Sequence, residues 1–191
     1  MTSCPPLIGI LSYGAGNTGS VRRALVRLGI RSTIVGTAEE IETVDGLIFP
    51  GAGAALAAME ELRARRLADV LRSYEKPFLG LCLGMQLLFD ASEEGPTECL
   101  GIIPGCVRAL PDGVTKPHMG WNRLSTGDYA YFVHGYYCAP ADPAVVTMTV
   151  PYGGALCAGV RQRNFLGLQW HPEKSGAAGD RFLLSFASLC R

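Results

Sequence analysis

One pattern recurs through the first half of the chain: a short apolar run that halts at glycine or proline, then a segment with helical spacing. Leu7 to Ser12 is such a run. It stops at Gly14-Ala15-Gly16-Asn17, and the next segment puts Val21, Ala24, Leu25 and Leu28 on one helical face before Gly29 ends it. Ile34-Val35 reads as a second strand, and Thr37 and Glu40 stand at capping-box spacing to start a short helix. Gly46 to Phe49 is a third strand, closed by Pro50-Gly51-Ala52-Gly53. Leu56 to Tyr74 is helical with a break in the basic stretch Arg63 to Arg66. Pro77 separates that helix from the strand Phe78 to Leu81, and another helix starts after Cys82. Strand–helix alternation of this kind predicts an α/β fold with a parallel sheet wrapped by helices.

After Pro96 the pattern changes to strands: Cys106 to Leu110, Tyr131 to Cys138, Val145 to Val150, Ala155 to Arg161 and Phe165 to Trp170. Asp180 to Cys190 closes the chain as an amphipathic helix with Phe182, Leu183, Phe186 and Leu189 on its apolar side. With no internal repeat and no low-complexity linker, 1–191 is expected to be a single domain, and 191 residues suffice for one buried core. The balance of 17 basic and 17 acidic residues, with no basic tract, leaves a nucleic-acid partner without an electrostatic footprint. No apolar stretch is long enough to span a bilayer, and Met1 to Pro6 lacks the pattern of a secretory signal. The seven cysteines are odd in number and form no CxxC pair, so a reduced, cytoplasmic protein without metal or other cofactor is expected.

The segment Gly80-Leu81-Cys82-Leu83-Gly84 falls where a buried strand turns sharply into a helix. That is the arrangement of a nucleophile elbow, with a thiol in place of a hydroxyl. The glycines let backbone crowd the turn, and a helix start together with a nearby histidine favours the thiolate. The amide N–H of Leu83 would face a developing oxyanion. A buried structural cysteine is the bland alternative, accepted for the other six cysteines.

A cysteine nucleophile needs a base, and the base needs an orienting acceptor. Gln169-Trp170-His171-Pro172-Glu173 follows an apolar strand, and in extended backbone His171 and Glu173 would face the same side. His118 and His134 compete as bases, but neither sits in a His-x-Glu arrangement. Pro50-Gly51-Ala52-Gly53 is either an ordinary turn or, beside the elbow, the second half of an oxyanion hole. Two glycines around a small residue make a peptide flip there cheap, so the turn could switch the hole on and off.

Together these segments resemble the class I, triad-type glutamine amidotransferases. Tyr13 to Asn17 (YGAGN), Phe49 to Gly53 (FPGAG), Lys76 to Phe89 (KPFLGLCLGMQLLF), Pro117 to Asn122 (PHMGWN), Tyr131 to Tyr137 (YFVHGYY) and Gln169 to Gly176 (QWHPEKSG) further resemble the glutaminase subunits of imidazole glycerol phosphate synthase. The elbow and His-Pro-Glu are common to the superfamily; PHMGWN and the Lys-Ser-Gly tail are specific to this subunit. The resemblance implies a mainly parallel, flavodoxin-like sheet flanked by helices, with added antiparallel strands in the C-terminal half. It implies glutamine as substrate, with Cys82, His171 and Glu173 as the catalytic triad. Gly51, Ala52 and Leu83 would serve the oxyanion, while Gln86, Gly135 and Tyr136 would bind substrate. It also implies a cyclase partner, a (β/α)₈ barrel bound one to one, met by Asn17, Met119, Trp121 and Lys174.

Several positions depart from that family's pattern. Ser12 stands where Asp is usual, Ala55 where Phe is common and Gly135 where Ser is usual, and Leu124 to Asp128 is shorter. Other readings stay open: a sister amidotransferase of the anthranilate or pyridoxal phosphate type, a non-catalytic binding module of the same fold, or a cysteine peptidase. PHMGWN argues against the first, and the joint presence of Cys82, His171 and Glu173 against the second.

Overall fold

A computed structural model describes residues 4–14 and 16–190. Met1 to Ser3, part of the start scanned for a secretory signal, Ala15 of the first glycine-rich loop, and Arg191 lie outside the described residues.

The chain runs β1 (Ile8–Leu11), α1 (Thr18–Arg27), β2 (Ser32–Val35), α2 (Ala38–Glu42), β3 (Gly46–Pro50), α3 (Ala55–Ala64), α4 (Leu67–Arg72), β4 (Phe78–Leu81) and α5 (Leu83–Gln86). Then come β5 (Ala91–Ser92), β6 (Thr97–Glu98), β7 (Gly105–Ala109), β8 (His118–Arg123), β9 (Tyr129–His134), β10 (Tyr136–Pro140), β11 (Val146–Pro151), β12 (Ala155–Gln162), β13 (Phe165–Leu168) and α6 (Gly176–Leu189). The main sheet has the order β11-β12-β13-β4-β3-β1-β2. Pairing is parallel from β2 through β13 and antiparallel at β12 and β11.

Side chains alternate across this sheet into two apolar layers. Leu47, Phe49 and Phe78 pack against α3 and α4 through Met59, Leu62 and Leu71. Ile8, Ile10, Ile48 and Leu79 lie on the other side with α1 and α6, through Leu25, Leu183 and Phe186. Both faces are covered, which is why β1, β3 and β4 are apolar at nearly every position.

The expected capping box of Thr37 and Glu40 is present, and the helix break falls at Arg66, whose φ of 56° is left-handed. Other expectations need correction. Tyr131 to Cys138 is two strands, β9 and β10, which separate at Gly135 and join different sheets. The strand β8 went unread because its alternation is inverted: apolar Met119 and Trp121 point outward while polar His118 and Asn122 point inward. On α6, Leu189 is exposed rather than part of the apolar face. The segment 124–128 is the tight turn of the β8–β9 hairpin, where the Leu124 amide donates to the Asp128 carbonyl at 2.8 Å.

Candidate active site

The parallel strand β4 ends at Cys82, whose φ of 53° and ψ of −110° are strained for a residue with a side chain. Such a conformation costs about 1–3 kcal/mol and persists only where the surroundings enforce it. Here they do. The Cys82 amide donates to the Leu168 carbonyl at 2.7 Å, and the Cys82 carbonyl accepts from the Gln86 amide at 3.1 Å. A Cβ on Gly80 would stand 2.6 Å from the Gly84 carbonyl oxygen, and one on Gly84 would run into the Phe49 carbonyl. The elbow glycines are thus required by close approach between β3, β4 and α5. The helix after Cys82 is a single turn, so its contribution is the free N–H groups of that turn rather than a long helix dipole.

His171 and Glu173 meet by a different route from the one expected. The chain is not extended there: Pro172–Lys174 forms a 3₁₀ turn. That turn folds Glu173 back so that His171 Nδ1 donates to its Oε1 at 2.9 Å, with side chains only 9% and 2% exposed. The turn is pinned by buried Ser175, whose hydroxyl donates to the His171 carbonyl at 2.6 Å and accepts from the Tyr131 amide at 3.0 Å. Burial works against a charge on His171. Cys82 and Glu173 outweigh it, and the imidazole pKa is pushed up to about 10. Its Nε2 is buried without a hydrogen-bond partner. The nucleophile–base bond between Cys82 and His171 is of the kind that is long without substrate and tightens when it binds.

These groups open onto a cleft of about 360 Å³. Gly51, Ala52 and Leu83 line one side, and Gly135 and Tyr136 line the other. Leu83, as the first residue of α5, has an N–H with no acceptor inside the helix. The Pro50 carbonyl is held by the buried Tyr13 hydroxyl, which donates to it at 3.2 Å. The Pro50–Gly51 peptide is thereby anchored, and the Gly51–Ala52 peptide follows it on the cleft wall. A Cβ on Gly51 would collide with Leu83 and the Gly84 amide, so packing requires glycine there. Gln86 lines the cleft, and its Nε2 donates to the Tyr136 carbonyl and to Gln169 Oε1, both at 3.1 Å. Gly135 has an ordinary backbone and open space where a Cβ would stand, so no steric demand makes it glycine.

His118 and His134, the rival bases, are paired with each other instead, Nδ1 to Nε2 at 3.0 Å. Burial lowers the pKa of both, that of His134 to about 4. Burial raises the thiols of Cys99, Cys157 and Cys190 to about 12 and that of Cys138 well above its usual value. Cys4 and Cys106 are exposed and lie outside the cleft. Four neighbours of the site were not assigned roles from sequence: Tyr13, Glu94, Gln169 and Ser175. Gln169 and Ser175 do flank the His-Pro-Glu run, and that adjacency was the available signal.

The four residues expected at a partner surface fall in two places. Asn17 and Lys174 border the cleft. Met119 and Trp121 project from the outer face of β8, 64% and 58% exposed. Lys174 Nζ lies 5.7 Å over the Tyr131 ring, and Trp121 meets that ring edge-on. Among the described residues no cluster of His, Cys, Asp and Glu could hold a metal, and no helix is long and apolar enough to cross a membrane.

Residues 10–188 match the family Glutamine amidotransferase class-I. The chain is 42% identical to the imidazole glycerol phosphate synthase subunit HisH of Rhodopirellula baltica, over 95% of this chain and 97% of that one. It is 44% identical to the same subunit of Geobacillus thermodenitrificans, over 96% of each. Among solved structures, a glutamine amidotransferase superposes with a TM-score of 0.78 at 23% identity, covering 95% of this chain and 98% of that one. PurLQS from Thermotoga maritima gives 0.72 at 20% identity, covering 98% and 100%. The chain belongs to the class I glutamine amidotransferase family, and within it to the HisH family of imidazole glycerol phosphate synthase subunits.

Proposed function

We propose that this chain is a single-domain, cytoplasmic glutaminase that supplies ammonia to a cyclase subunit. Cys82 Sγ attacks the side-chain carboxamide carbon of glutamine, and the C–N bond breaks as ammonia leaves. His171 takes the thiol proton and passes it to the departing nitrogen, while Glu173 holds the imidazole in the required tautomer. Water then cleaves the γ-glutamyl thioester and glutamate departs. Leu83 N–H and the Gly51–Ala52 peptide stabilise the oxyanion. The free Oε1 of Gln86 and the backbone of Gly135 and Tyr136 hold the substrate's polar end. The observation that carries this reading is the convergence of a strained, cleft-facing Cys82 with the buried 2.9 Å His171–Glu173 pair.

The relatives are named as subunits of a synthase, which supports a partner for this chain. We assign that partner as a (β/α)₈ cyclase making imidazole glycerol phosphate in histidine biosynthesis, bound one to one over Asn17, Met119, Trp121 and Lys174. Because ammonia released into water is protonated and lost, hydrolysis should wait for the partner. A turn of the Gly51–Ala52 peptide would complete the oxyanion hole, and one such donor is worth about a hundred- to a thousand-fold in rate. A ligand on the cyclase can bias that turn only through differential affinity for its two states. The test is glutamate release by the chain alone, with the cyclase, and with cyclase plus its nucleotide substrate. The expected rates rise stepwise, and Lys174→Glu weakens the complex without unfolding the chain. Full activity of the lone chain, indifferent to the cyclase, would refute the switch.

A further inference from the structure

A continuous chain of hydrogen bonds runs from the β8–β9 hairpin to the Cys82 sulfur, and chemistry fixes the direction of its links. Asn122 Nδ2, a pure donor, meets His118 Nε2 at 3.3 Å, so that nitrogen accepts. His118 Nδ1 then carries the proton and donates to His134 Nε2 at 3.0 Å. His134 Nδ1 donates in turn to the Tyr136 carbonyl at 2.8 Å. Both imidazoles are neutral in this arrangement, with one tautomer each. A charged His134 would present a second N–H to the His118 donor.

The Tyr136 carbonyl can only accept, and it takes a second bond from Gln86, so the Gln86 atom facing it is the amide nitrogen. The second hydrogen of that nitrogen goes to Gln169, so the Gln169 atom facing it is the oxygen. Gln169 is 0% exposed and cannot turn over without breaking this bond. Its remaining group, the Nε2 amide, lies 3.6 Å from Cys82 Sγ. The sulfur thus sits between a donor, Gln169, and an acceptor, the Val133 carbonyl at 3.7 Å. As a thiol it uses the acceptor, and as a thiolate it needs the donor.

Resting on the glutaminase reading, we propose that Gln169 is a further catalytic residue, whose N–H stabilises the Cys82 thiolate and the sulfur expelled when the thioester is hydrolysed. In that second step His171 takes a proton from water as the water oxygen adds to the acyl carbon, the C–S bond breaks, and its electron pair returns to Sγ beneath the Gln169 N–H. Gln86 and the neutral His118–His134 pair are positioning residues that hold the donor in this orientation. The other titratable groups around Cys82 are His171, Tyr13 and Cys138, with Glu94 and Lys174 on the cleft wall.

The test is the pH profile of Cys82 alkylation by iodoacetamide in the full chain, read on the Cys82 peptide by mass spectrometry so that Cys4 and Cys106 do not interfere. Gln169→Met fills the amide's space without a donor and should raise the midpoint by about one pH unit, the size of a lost hydrogen bond to a charged group. Gln169→Glu, with a carboxylate beside the sulfur, should raise it further. A folded Gln169→Met chain with the wild-type midpoint overturns the proposal. Should that variant not fold, Gln86→Met decides in the same assay: it leaves Gln169 in place without its anchor, and an unchanged midpoint overturns the proposal. The readout needs no glutamine, so it separates from the glutaminase reading. A wild-type chain that turned over no glutamine with its cyclase, yet showed the Gln169-dependent shift, would locate the failure in that reading alone.

Discussion

Changing Glu173 to Gln removes one charge from a pair that is almost wholly buried. Gln keeps an oxygen for His171 Nδ1, 2.9 Å from the present Oε1, so the ring's orientation survives. What is lost is the difference between a charge-assisted and a neutral hydrogen bond, about 1–2 kcal/mol. The amide nitrogen would also replace Glu173 Oε2, a buried atom with no partner, and leave an unsatisfied donor there. If the thiolate–imidazolium pair that starts acylation bears this loss, kcat should fall roughly five- to thirtyfold with KM little changed. The assay is glutamate release by the cyclase complex at saturating glutamine.

Stability gives a second readout of the same change. The folded pKa of His171, about 10, lies above its ordinary value of 6.5. The stabilisation linked to its protonation is therefore fully present below pH 6.5 and lost as pH rises through about 10. Glu173→Gln lowers the folded value, so the melting-temperature gap between wild type and variant should be wide near neutrality and narrow towards pH 10. Wild-type kcat in Glu173→Gln, or a gap that widens with pH, would refute the role given to this carboxylate.

Two further substitutions probe the elbow and its rim. Gly84→Ala drives a methyl group into the Phe49 carbonyl and should displace α5 from β3, costing stability and most of the activity, read by thermal melting and glutamate release. Gly135→Ser places its side chain in open space, so melting should be unchanged and the kinetic effect confined to KM for glutamine.

Much of this arrangement was legible in the sequence because local chemistry and fold agree. The runs of β1, β3 and β4 are apolar on both sides, which only a covered parallel sheet satisfies, and the glycines around Cys82 are ones that packing forbids to change. What stayed hidden depends on local geometry that side-chain spacing misstates and on one partner distant in the chain. The strand β8 shows its apolar residues to the outside and its histidine to the inside, so alternation alone pointed the wrong way. The union of His171 with Glu173 depends on a 3₁₀ turn that Ser175 stabilises from two residues beyond. The role of Gln169 is set by Gln86, 83 positions away, and no spacing rule reaches that far.

The account rests on Cys82 as the atom that attacks glutamine. The direct measurement is covalent trapping: the cyclase complex is treated with a glutamine analogue bearing an electrophilic carbon in place of the carboxamide, and every cysteine peptide is then mapped by mass spectrometry. Cys82 should carry one adduct, glutamine should protect it, and Cys82→Ala should show neither adduct nor glutamate release while keeping its fold. The exposed thiols of Cys4 and Cys106 should stay unlabelled at low reagent concentration, because they lie outside the cleft that recognises the analogue. An adduct on Cys106 with Cys82 untouched, or a Cys82→Ala chain that still hydrolyses glutamine, would contradict the central claim.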